Sequence, residues 1–430
     1  MTTCVVALGK IGLPLAVQIA SKGENVIGVD INQEVVDLVN AGTEPFPGEA
    51  GLANQLKDVI NRGLFEAISD TRTAVAKSDH VVIVVPVVVD TEANPDFTAI
   101  DAATTEIAHG LNKGCLVSYE TTLPIGTTRN RFLPMLESIS GLICGSDFFL
   151  SYSPERVYSG RIFSDLRRYP KLVGGIDAES SKKAADFYKS VLDFDERDDL
   201  EKPNGVWDLG SCEASEMAKL VETTYRNVNI ALANEFALHA EDLGIDIGPI
   251  IEASNSQPFS HVHNPGVAVG GHCIPVYPKF YLSTDTRAAL PSSSIAVNES
   301  MPKRAVHSLY GSKDGTLSGK KIAVLGAAYR NGVKETAFSG VFSLVKEIER
   351  LGGTALVHDP LYTDMELSNL GLTSFQLGNH CDAAIVQTDH EIYTKLSSSD
   401  LPGAEILYDG RRIVDKSKLS PIKVIVLGIG

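Results

Sequence analysis

Long apolar runs and an excess of basic residues are both lacking in this sequence of 430 residues. The longest apolar run, residues 81–89, is broken by Pro86 and is far too short to span a bilayer. A net charge of −16 argues against a surface that binds nucleic acid. No basic segment followed by an apolar one lies near the start, so no export signal is predicted. We therefore expect neither a membrane nor a nucleic acid as a partner.

Cysteine is scarce, and its positions contain no CxxC pair and no metal-ligand spacing. His261 and His263 lie near Cys273, but two further ligands at a suitable spacing are lacking, so we predict no metal site. Scattered single cysteines also indicate free thiols in the reducing cytoplasm rather than disulfides. The six are Cys4, Cys115, Cys144, Cys212, Cys273 and Cys381.

The start of the chain has the pattern of a dinucleotide-binding unit. A strand over residues 4–8 is followed by the turn Gly9-Lys-Ile-Gly12, a helical pattern and a second strand that ends in Asp30. Gly9 would let the backbone approach a pyrophosphate, and Gly12 would let the helix pack closely on the strand. Asp30 suits both ribose hydroxyls and would repel a 2′-phosphate, which favours NAD over NADP. The first glycine of the fingerprint is Ala7 here, so a Rossmann-like domain without a cofactor stays open.

Polar or turn residues follow three later strands of this first α/β unit. Pro86 should lie beside the nicotinamide half of the crevice. Thr122 lies in a polar loop, where its hydroxyl either caps a helix or contacts substrate and water. Glu155 and Arg156 follow the third strand and, taken alone, indicate a surface ion pair.

A long helix and a second α/β unit follow. The helical pattern extends over residues 213–243 without glycine or proline, and after a polar turn at 311–319 the α/β alternation resumes at residue 320. Such a helix commonly joins two domains and pairs with its copy. The predicted fold class is α/β, with two Rossmann-like domains joined by a long central helix, and we expect a homodimer. One apolar stripe is predicted from Met217, Leu220, Val221, Val228, Ala231, Leu232 and Phe236. A polar face, which a solvated charged surface would also fit, is predicted from Lys219, Glu222, Thr223, Arg226 and Asn229.

A glycine- and proline-rich segment at 266–278 predicts a loop, because neither a helix interior nor a central strand tolerates this composition. Gly270 and Gly271 would let the backbone approach a ligand closely. The loop presents Cys273 directly after His272, and a neighbouring imidazolium or row of backbone N–H groups can activate a thiol. Catalysis and a small buried apolar cysteine are equally compatible with the loop alone.

Several motifs resemble, in order and over nearly the whole chain, those of the UDP-glucose/GDP-mannose dehydrogenase family of nucleotide-sugar 6-dehydrogenases. They are Gly-Lys-Ile-Gly-Leu-Pro at 9–14, Glu-Thr-Thr-Leu-Pro-Ile-Gly-Thr-Thr at 120–128, Ser-Pro-Glu-Arg at 153–156, the segment 219–235, Gly-Gly-His-Cys-Ile-Pro at 270–275, Val-Leu-Gly-Ala-Ala-Tyr-Arg at 324–330 and Asp-Gly-Arg at 409–411. The resemblance implies three regions. They are an NAD-binding domain at 1–203, a central helical and dimerisation region with the cysteine loop at 204–301, and a nucleotide-sugar-binding domain at 302–430.

The resemblance also implies a four-electron oxidation of a sugar C6 alcohol to a uronic acid, a precursor of surface polysaccharides, by two hydride transfers to two NAD⁺. Cys273 would hold the aldehyde as a thiohemiacetal and then a thioester, which water hydrolyses. Lys219 would stabilise the oxyanion, and Thr122 and Glu155 would position the water and manage its proton. Cofactor contacts are implied for Gly9, Lys10, Ile11, Gly12, Asp30, Pro86 and Thr122. Substrate contacts, with arginine forks suited to phosphate, are implied for Arg156, Lys219, Thr223, Arg226, Gly270, Arg330 and Arg411.

Three positions depart from the family pattern. Tyr277 stands where an acid is common, Thr223 where asparagine is common, and Ala337 where many members carry arginine. Proton handling near the cysteine would then fall to Glu155 or water, and one phosphate or ribose contact would be moved or lost.

The sugar and two other functions stay open. The motif ending at Arg156 and the segment 219–231 resemble the N-acetylhexosamine branch, so we expect UDP-ManNAc or UDP-GlcNAc first and UDP-glucose second. A two-electron dehydrogenase of the hydroxyacid type would not need Cys273. A non-catalytic NAD-dependent redox sensor would use Cys273 as its reactive thiol but would leave the arginines of the second α/β domain without a task.

Overall fold

The computed structural model describes residues 1–90, 94–310 and 316–430, which form two compact units, Met1–Val221 and Glu222–Gly430. Each unit is built on a mainly parallel sheet with helices, which confirms the predicted α/β fold class. The turn predicted at 311–319 lies, as far as residue 315, outside the described residues. Within the described part of the chain, no helix combines the length and apolarity that a bilayer crossing needs.

The first unit alternates strands and helices from its start. Its elements are β1 Thr2–Val6, α1 Gly12–Ser21, β2 Asn25–Val29, α2 Gln33–Asn40, α3 Leu52–Asn61, β3 Phe65–Ile68, α4 Thr71–Val75, β4 His80–Ile83, β5 Val88–Val89, β6 Pro95–Asp96, α5 Thr98–Gly110, β7 Leu116–Tyr119, α6 Leu133–Ser140, β8 Phe149–Tyr152, α7 Ile162–Arg168, β9 Lys171–Gly175, α8 Ala178–Val191 and β10 Val206–Asp208. A π-helical segment, Thr128–Phe132, leads into α6.

The main sheet of this unit has the strand order β10-β9-β8-β7-β4-β1-β2-β3, and β8 and β9 pair antiparallel. From β3 to β8 this is the 3-2-1-4-5-6 order of dinucleotide-binding sheets. The order reverses between β1 and β4, where a crevice opens at the carboxyl ends of the strands. The register pairs Val6 with Val29, and the Ala7 N–H donates to the Val29 carbonyl at 2.8 Å. The turn after β1 and Asp30 after β2 therefore leave the sheet side by side.

The long helix α9, Cys212–Leu243, continues from the first unit into the second. The remaining elements are α10 Ile247–Asn255, α11 Tyr277–Thr284, α12 Ala289–Ser308, β11 Lys321–Leu325, α13 Gly340–Arg350, β12 Thr354–His358, α14 Asp364–Asn369, β13 Ala383–Val386, β14 Ile406–Asp409 and β15 Lys423–Val426.

The second sheet is parallel, with the order β12-β11-β13-β14-β15. This is the 2-1-3-4-5 order of the other common doubly wound sheet, and its switch point lies between β11 and β13. Alternate residues of one strand pack into different cores, as Ile322 and Val324 do on one face and Ala323 and Leu325 on the other. A parallel sheet needs this cover on both faces, which explains its nearly continuous apolar strands.

Two predicted features of the central region are wrong in detail. The residues of the predicted apolar stripe lie on two different faces of α9. Leu220 and Ala231 are buried. Four larger side chains are between 42% and 50% exposed: Met217, Val221, Leu232 and Phe236. Tyr277 and Pro278, which the sequence places in the loop, begin α11 instead. Proline is tolerated in the first helical turn because its missing N–H would have no partner there.

Candidate active site

The turn after β1 combines one tight contact with one open surface. A side-chain carbon built on Gly12 would come within 1.9 Å of the Ala7 carbonyl oxygen, so α1 packs on the turn only with glycine at this position. A carbon built on Gly9 would meet no atom within 4 Å. That space suits the close approach of a pyrophosphate to the backbone at the start of α1.

Asp30 is fixed beside this turn. Its carboxylate accepts hydrogen bonds from the Leu8 and Asn32 N–H groups, both at 2.9 Å. A carboxylate has about four acceptor sites, so it keeps capacity for ribose hydroxyls. Ile31, which the sequence analysis did not single out, is 96% exposed next to it and offers an apolar surface that an adenine ring can cover. Together with the open space at Gly9, these residues fit an NAD cofactor.

The other cofactor candidates lie on the same turn or at the end of β4. Lys10 and Pro86 are exposed and Ile11 is half-buried. Since β1 and β4 flank the switch point of the sheet, their following residues border the crevice from both sides.

The loop after β7 carries Thr122 and is held rigidly by a buried glutamate. Glu216 of α9 accepts hydrogen bonds from the Gly126 N–H at 2.5 Å and from the N–H and hydroxyl of Thr128 at 2.9 and 2.7 Å. Burial raises the pKa of Glu216 to about 7. The Thr121 hydroxyl donates to the Val85 carbonyl at 2.6 Å. Thr121 and Thr128 therefore serve the loop itself, and Thr122, which is also buried, is the hydroxyl left as a catalytic candidate.

A buried cluster of three charged residues lies behind this loop. The Lys171 ammonium is 2.7 Å from Glu120 Oε2 and 3.0 Å from Glu155 Oε2, and the three side chains are 4%, 0% and 12% exposed. The surface position that the Glu155–Arg156 sequence indicates is therefore wrong for Glu155. The sequence analysis missed Lys171, since a single lysine at the start of a strand gives no signal.

The charges of this cluster shift one another's protonation. Burial raises the pKa of Glu120 to about 7, with repulsion from Glu155 added and attraction by Lys171 opposing. Burial acts in the same direction on Glu155, but the charge and hydrogen bond of Lys171 outweigh it and lower the pKa of that carboxyl. Burial is likewise outweighed at Lys171, where the two carboxylates raise the pKa.

In the second unit, the cysteine loop packs on the segment after β11. A carbon built on Gly270 would lie 2.6 Å from Tyr329 Cβ, and Gly271, with a φ of +90°, donates its N–H to the Ala337 carbonyl at 2.8 Å. The close approach that these glycines permit is thus to the chain itself. His272 Nε2 lies 2.7 Å from Glu335 Oε1. Cys273 is a free, half-buried thiol and not a sealed core residue.

Three asparagines of α9 bind backbone groups of the cysteine loop and of the residues just before it. The bonds run from Asn227 Nδ2 to the Ile274 carbonyl (3.2 Å), from Asn229 Nδ2 to the His261 carbonyl (2.8 Å), from the His263 N–H to Asn229 Oδ1 (2.9 Å) and from the Gly266 N–H to Asn234 Oδ1 (2.9 Å). Asn227 and Asn234 were missed by the sequence analysis, although their spacing of seven places them on one helix face.

The polar face of α9 is not a solvated surface. Lys219 is 6% exposed, Thr223 is buried, and Arg226 is half-buried. An ammonium held at this depth acts in a low dielectric, where its effect on a developing negative charge is large.

The arginines of the second unit have different surroundings. Arg411 donates from Nε to the Gln387 carbonyl at 2.6 Å and from Nη2 to the Ala268 carbonyl at 3.2 Å, so it links β13 to the cysteine loop. Arg330, four residues after Gly326 at the end of β11, is half-buried at the switch point of the second sheet.

An aspartate follows the second strand of each unit, but the surroundings of the two aspartates differ. Asp359, which follows β12, accepts hydrogen bonds from the Ala327 and Ala328 N–H groups, both at 2.8 Å, and is buried. His390 Nε2 lies 3.1 Å from the same carboxylate. Asp359 therefore closes its own turn, whereas half-buried Asp30 keeps a surface for a ribose. The cofactor site belongs to the first unit.

Family models match the chain in three consecutive stretches. They are the NAD binding domain of the UDP-glucose/GDP-mannose dehydrogenase family over residues 1–192, its central domain over 213–301 and its UDP binding domain over 323–416.

Known proteins resemble the chain over its full length. It is 33% identical over 437 residues to the UDP-N-acetyl-D-mannosamine dehydrogenase of Pyrococcus horikoshii, with 100% of this chain and 99% of that protein covered. It is 31% identical over 419 residues to the enzyme of the same name from Escherichia coli, covering 93% and 96%. The solved structure of the Pyrococcus horikoshii UDP-D-ManNAc dehydrogenase superposes with a TM-score of 0.87 at 30% identity over 100% of both chains. The chain belongs to the UDP-glucose/GDP-mannose dehydrogenase family and is an NAD-dependent nucleotide-sugar dehydrogenase.

Proposed function

We propose that this protein oxidises the C6 alcohol of UDP-N-acetylmannosamine to the uronic acid in a four-electron reaction. The observation that carries the reaction type is the free, half-buried thiol of Cys273, held in a loop that α9 clamps by its backbone. A thiol fixed in this way can trap an aldehyde between two oxidations. The choice of sugar rests on the names of the full-length relatives. UDP-GlcNAc and UDP-glucose are the alternatives.

In this proposal the first α/β domain, residues 1–203, holds the cofactor. Bound NAD⁺ supplies the two-electron acceptor, one molecule for each of the two oxidations. The backbone at Gly9, Lys10, Ile11 and Gly12 receives the pyrophosphate, and Asp30 receives the ribose hydroxyls and repels a 2′-phosphate.

Residues of this chain then act on the sugar in turn. The Cys273 thiolate adds to the C6 aldehyde and keeps it bound as a hemithioacetal, whose oxidation leaves a thioester. The buried Lys219 ammonium stabilises the oxyanion, an effect worth roughly 3 kcal/mol for one donor. Glu155 accepts the proton of the water that hydrolyses the thioester, and the Thr122 hydroxyl orients that water.

Substrate binding falls to the helix α9 and to residues 302–430. Arg330 and Arg411 are assigned to the diphosphate and nucleotide, because a guanidinium fork matches phosphate geometry. Arg156, Thr223, Arg226 and Gly270 are assigned to the sugar and its surroundings. Tyr277 and Ala337 leave the acid and arginine contacts of other members unfilled.

We also propose a homodimer formed through α9. Four large apolar side chains of this helix, Met217, Val221, Leu232 and Phe236, are left between 42% and 50% exposed. They recur at i+4 and i+11 spacing, so they form one continuous apolar face that a second copy of the helix can cover. We place the protein in the cytoplasm, where thiols stay reduced, since all six cysteines are free.

The test is the ratio of NADH formed to sugar consumed across UDP-ManNAc, UDP-GlcNAc and UDP-glucose. We expect two NADH per UDP-ManNAc and little turnover of the other two. Cys273→Ala should form no acid. A ratio of one that Cys273→Ala does not change would indicate a two-electron dehydrogenase, and turnover of UDP-glucose alone would overturn the choice of sugar.

A further inference from the structure

The charged cluster behind the Thr122 loop has two members, Lys171 and Glu120, that the proposed reaction does not use. Lys171 is the first residue of β9, and its ammonium lies between two carboxylates in a buried site. Buried ion pairs stabilise a fold weakly, and apolar residues of similar volume often do as well or better. Stability alone therefore does not account for three charges at this place.

The cluster fixes the position of the Glu155 carboxylate through both of its oxygens. Oε2 accepts from the Lys171 ammonium at 3.0 Å, and Oε1 accepts from the Arg156 and Val157 N–H groups at 2.6 and 3.2 Å. Lys171 is itself anchored, because its backbone belongs to β9 and its ammonium lies 4.8 Å from the ring centroid of Tyr188. A base that is already held in one orientation does not lose further conformational entropy when its water binds.

The cluster also shifts the pKa values of its two carboxyls in opposite directions. Among the described residues, Glu155 faces Lys171 of β9 and Glu120 after β7 and accepts from the Arg156 N–H. Tyr188 of α8 donates to Glu120 Oε1 at 2.6 Å. Lys171 and the N–H donors lower the pKa of Glu155 against its burial, whereas burial raises the pKa of Glu120 to about 7. The pKa values of the two carboxyls are thus shifted in opposite directions. The Glu155 carboxylate accepts three hydrogen bonds and keeps one acceptor site for a water.

We propose that Lys171 is a positioning residue for the reaction: its ammonium, 3.0 Å from Glu155 Oε2 and 2.7 Å from Glu120 Oε2, keeps the Glu155 carboxylate ionised and in one orientation. The proposal rests on the role proposed above for Glu155 as the acceptor of the water proton. Lys171 contacts neither water nor substrate in this scheme, and it acts only through Glu155.

The experiment compares Lys171→Met, Lys171→Arg and Glu120→Gln by the pH profile of kcat and by infrared titration of the buried carboxyls. Lys171→Met should move the acidic limb of kcat, and the ionisation of the Glu155 carboxyl band, upward by at least one pH unit. Lys171→Arg keeps the charge and should restore the wild-type limb. Glu120→Gln should remove the carboxyl band that titrates near pH 7 without moving the acidic limb upward.

Glu347→Gln is the matched control, because Glu347 is also a buried carboxylate, paired with Arg350 and hydrogen-bonded to His307, but lies in the second unit. It should lower the stability and leave the acidic limb unchanged. If Lys171→Met behaves in the same way, Lys171 is only structural and the proposal is wrong.

Two further results keep the test decisive. If Lys171→Met does not fold, the double variant Lys171→Met with Glu120→Gln removes one carboxylate together with the ammonium. The Glu155 band of this double variant should still titrate at least one pH unit higher than in the wild type.

If the wild-type protein oxidises no nucleotide sugar, the proposed function fails. The infrared titration of Glu155, assigned with Glu155→Gln, then decides the part of Lys171 without any turnover, and a band that does not shift overturns it.

Discussion

Ala7 is held in a backbone conformation that favours glycine. Its φ is +79°, and the turn that it forms receives α1 at Gly12. The left-handed region costs an L-residue with a β-carbon roughly 1–2 kcal/mol. This strain lies in the turn between β1 and α1.

Ala7→Gly should therefore raise the free energy of unfolding of the first unit by about 0.5–1 kcal/mol, because relief of the strain exceeds the extra entropy of an unfolded glycine. Denaturant unfolding followed by Trp207, the single tryptophan and a residue of β10, measures this unit. Ala102→Gly, at an exposed position inside α5, is the control and should lose about 1 kcal/mol. Equal losses in both variants would contradict the strain at Ala7.

Carboxylates of this chain show how strongly surroundings decide the chemistry of a single residue. Burial raises the pKa of Glu216 to about 7, whereas the hydrogen bond from Arg350, with His307 adding to it, lowers the pKa of Glu347 to about 2. The folded-state pKa of Glu347 lies below its unfolded value, so its contribution to stability is full above about pH 4.5 and is lost as the pH falls toward 2.

At the scale of elements, α9 positions the cysteine loop through hydrogen bonds to its backbone. Its asparagines bind backbone groups from His261 to Ile274, and a second helix supports them, since the Ser294 hydroxyl of α12 donates to Asn227 Oδ1 at 2.8 Å. The 32-residue helix α9 thereby fixes a loop that contains neither helix nor strand.

Asn227→Ala should loosen the loop, because the Ile274 carbonyl loses the Asn227 amide as its hydrogen-bond donor. The cost of such a loss is about 1–3 kcal/mol. Hydrogen exchange over residues 270–276 should accelerate by roughly fivefold or more, and kcat should fall with it. Asn40→Ala is the control: Asn40 makes a similar pair of bonds to the Ala67 backbone in the first unit, at 2.8 Å each, and should leave the loop unchanged. Unaltered exchange in Asn227→Ala would remove the clamp from the explanation.

At the scale of the molecule, the exposed face of α9 predicts how copies of the chain assemble. The wild-type protein should have twice the chain mass of 46.0 kDa in sedimentation at micromolar concentration. Leu232→Glu with Phe236→Glu should yield the monomer, because two carboxylates would be buried in an apolar contact. Met365→Glu changes an equally large exposed side chain on α14 and should leave the mass doubled. A monomeric wild type would contradict the dimer.

Much of this protein could be predicted from its residues in order. Strand–turn–helix patterns in both halves of the chain predict the α/β fold class. The long helix predicted at 213–243 lies within one residue of α9, Cys212–Leu243. These features depend on neighbours along the chain: apolar periodicity, glycines at turns and prolines at helix starts. The family motifs are likewise read from local sequence, which is why the reaction class was accessible.

Only the tertiary structure decided which polar side chains are buried together. Lys171 and Glu155 lie 16 positions apart, Glu120 and Lys171 lie 51 apart, and Asn227 and Ile274 lie 47 apart, and nothing in their local sequence marks them as partners. The buried and exposed faces of α9 could not be told apart from the sequence either. Apolar residues at helical spacing predict a helix with an apolar face, but they do not show what covers that face. Hydrophobic pattern is a local property of a chain, whereas a charge's environment is set by residues that folding brings to it from elsewhere.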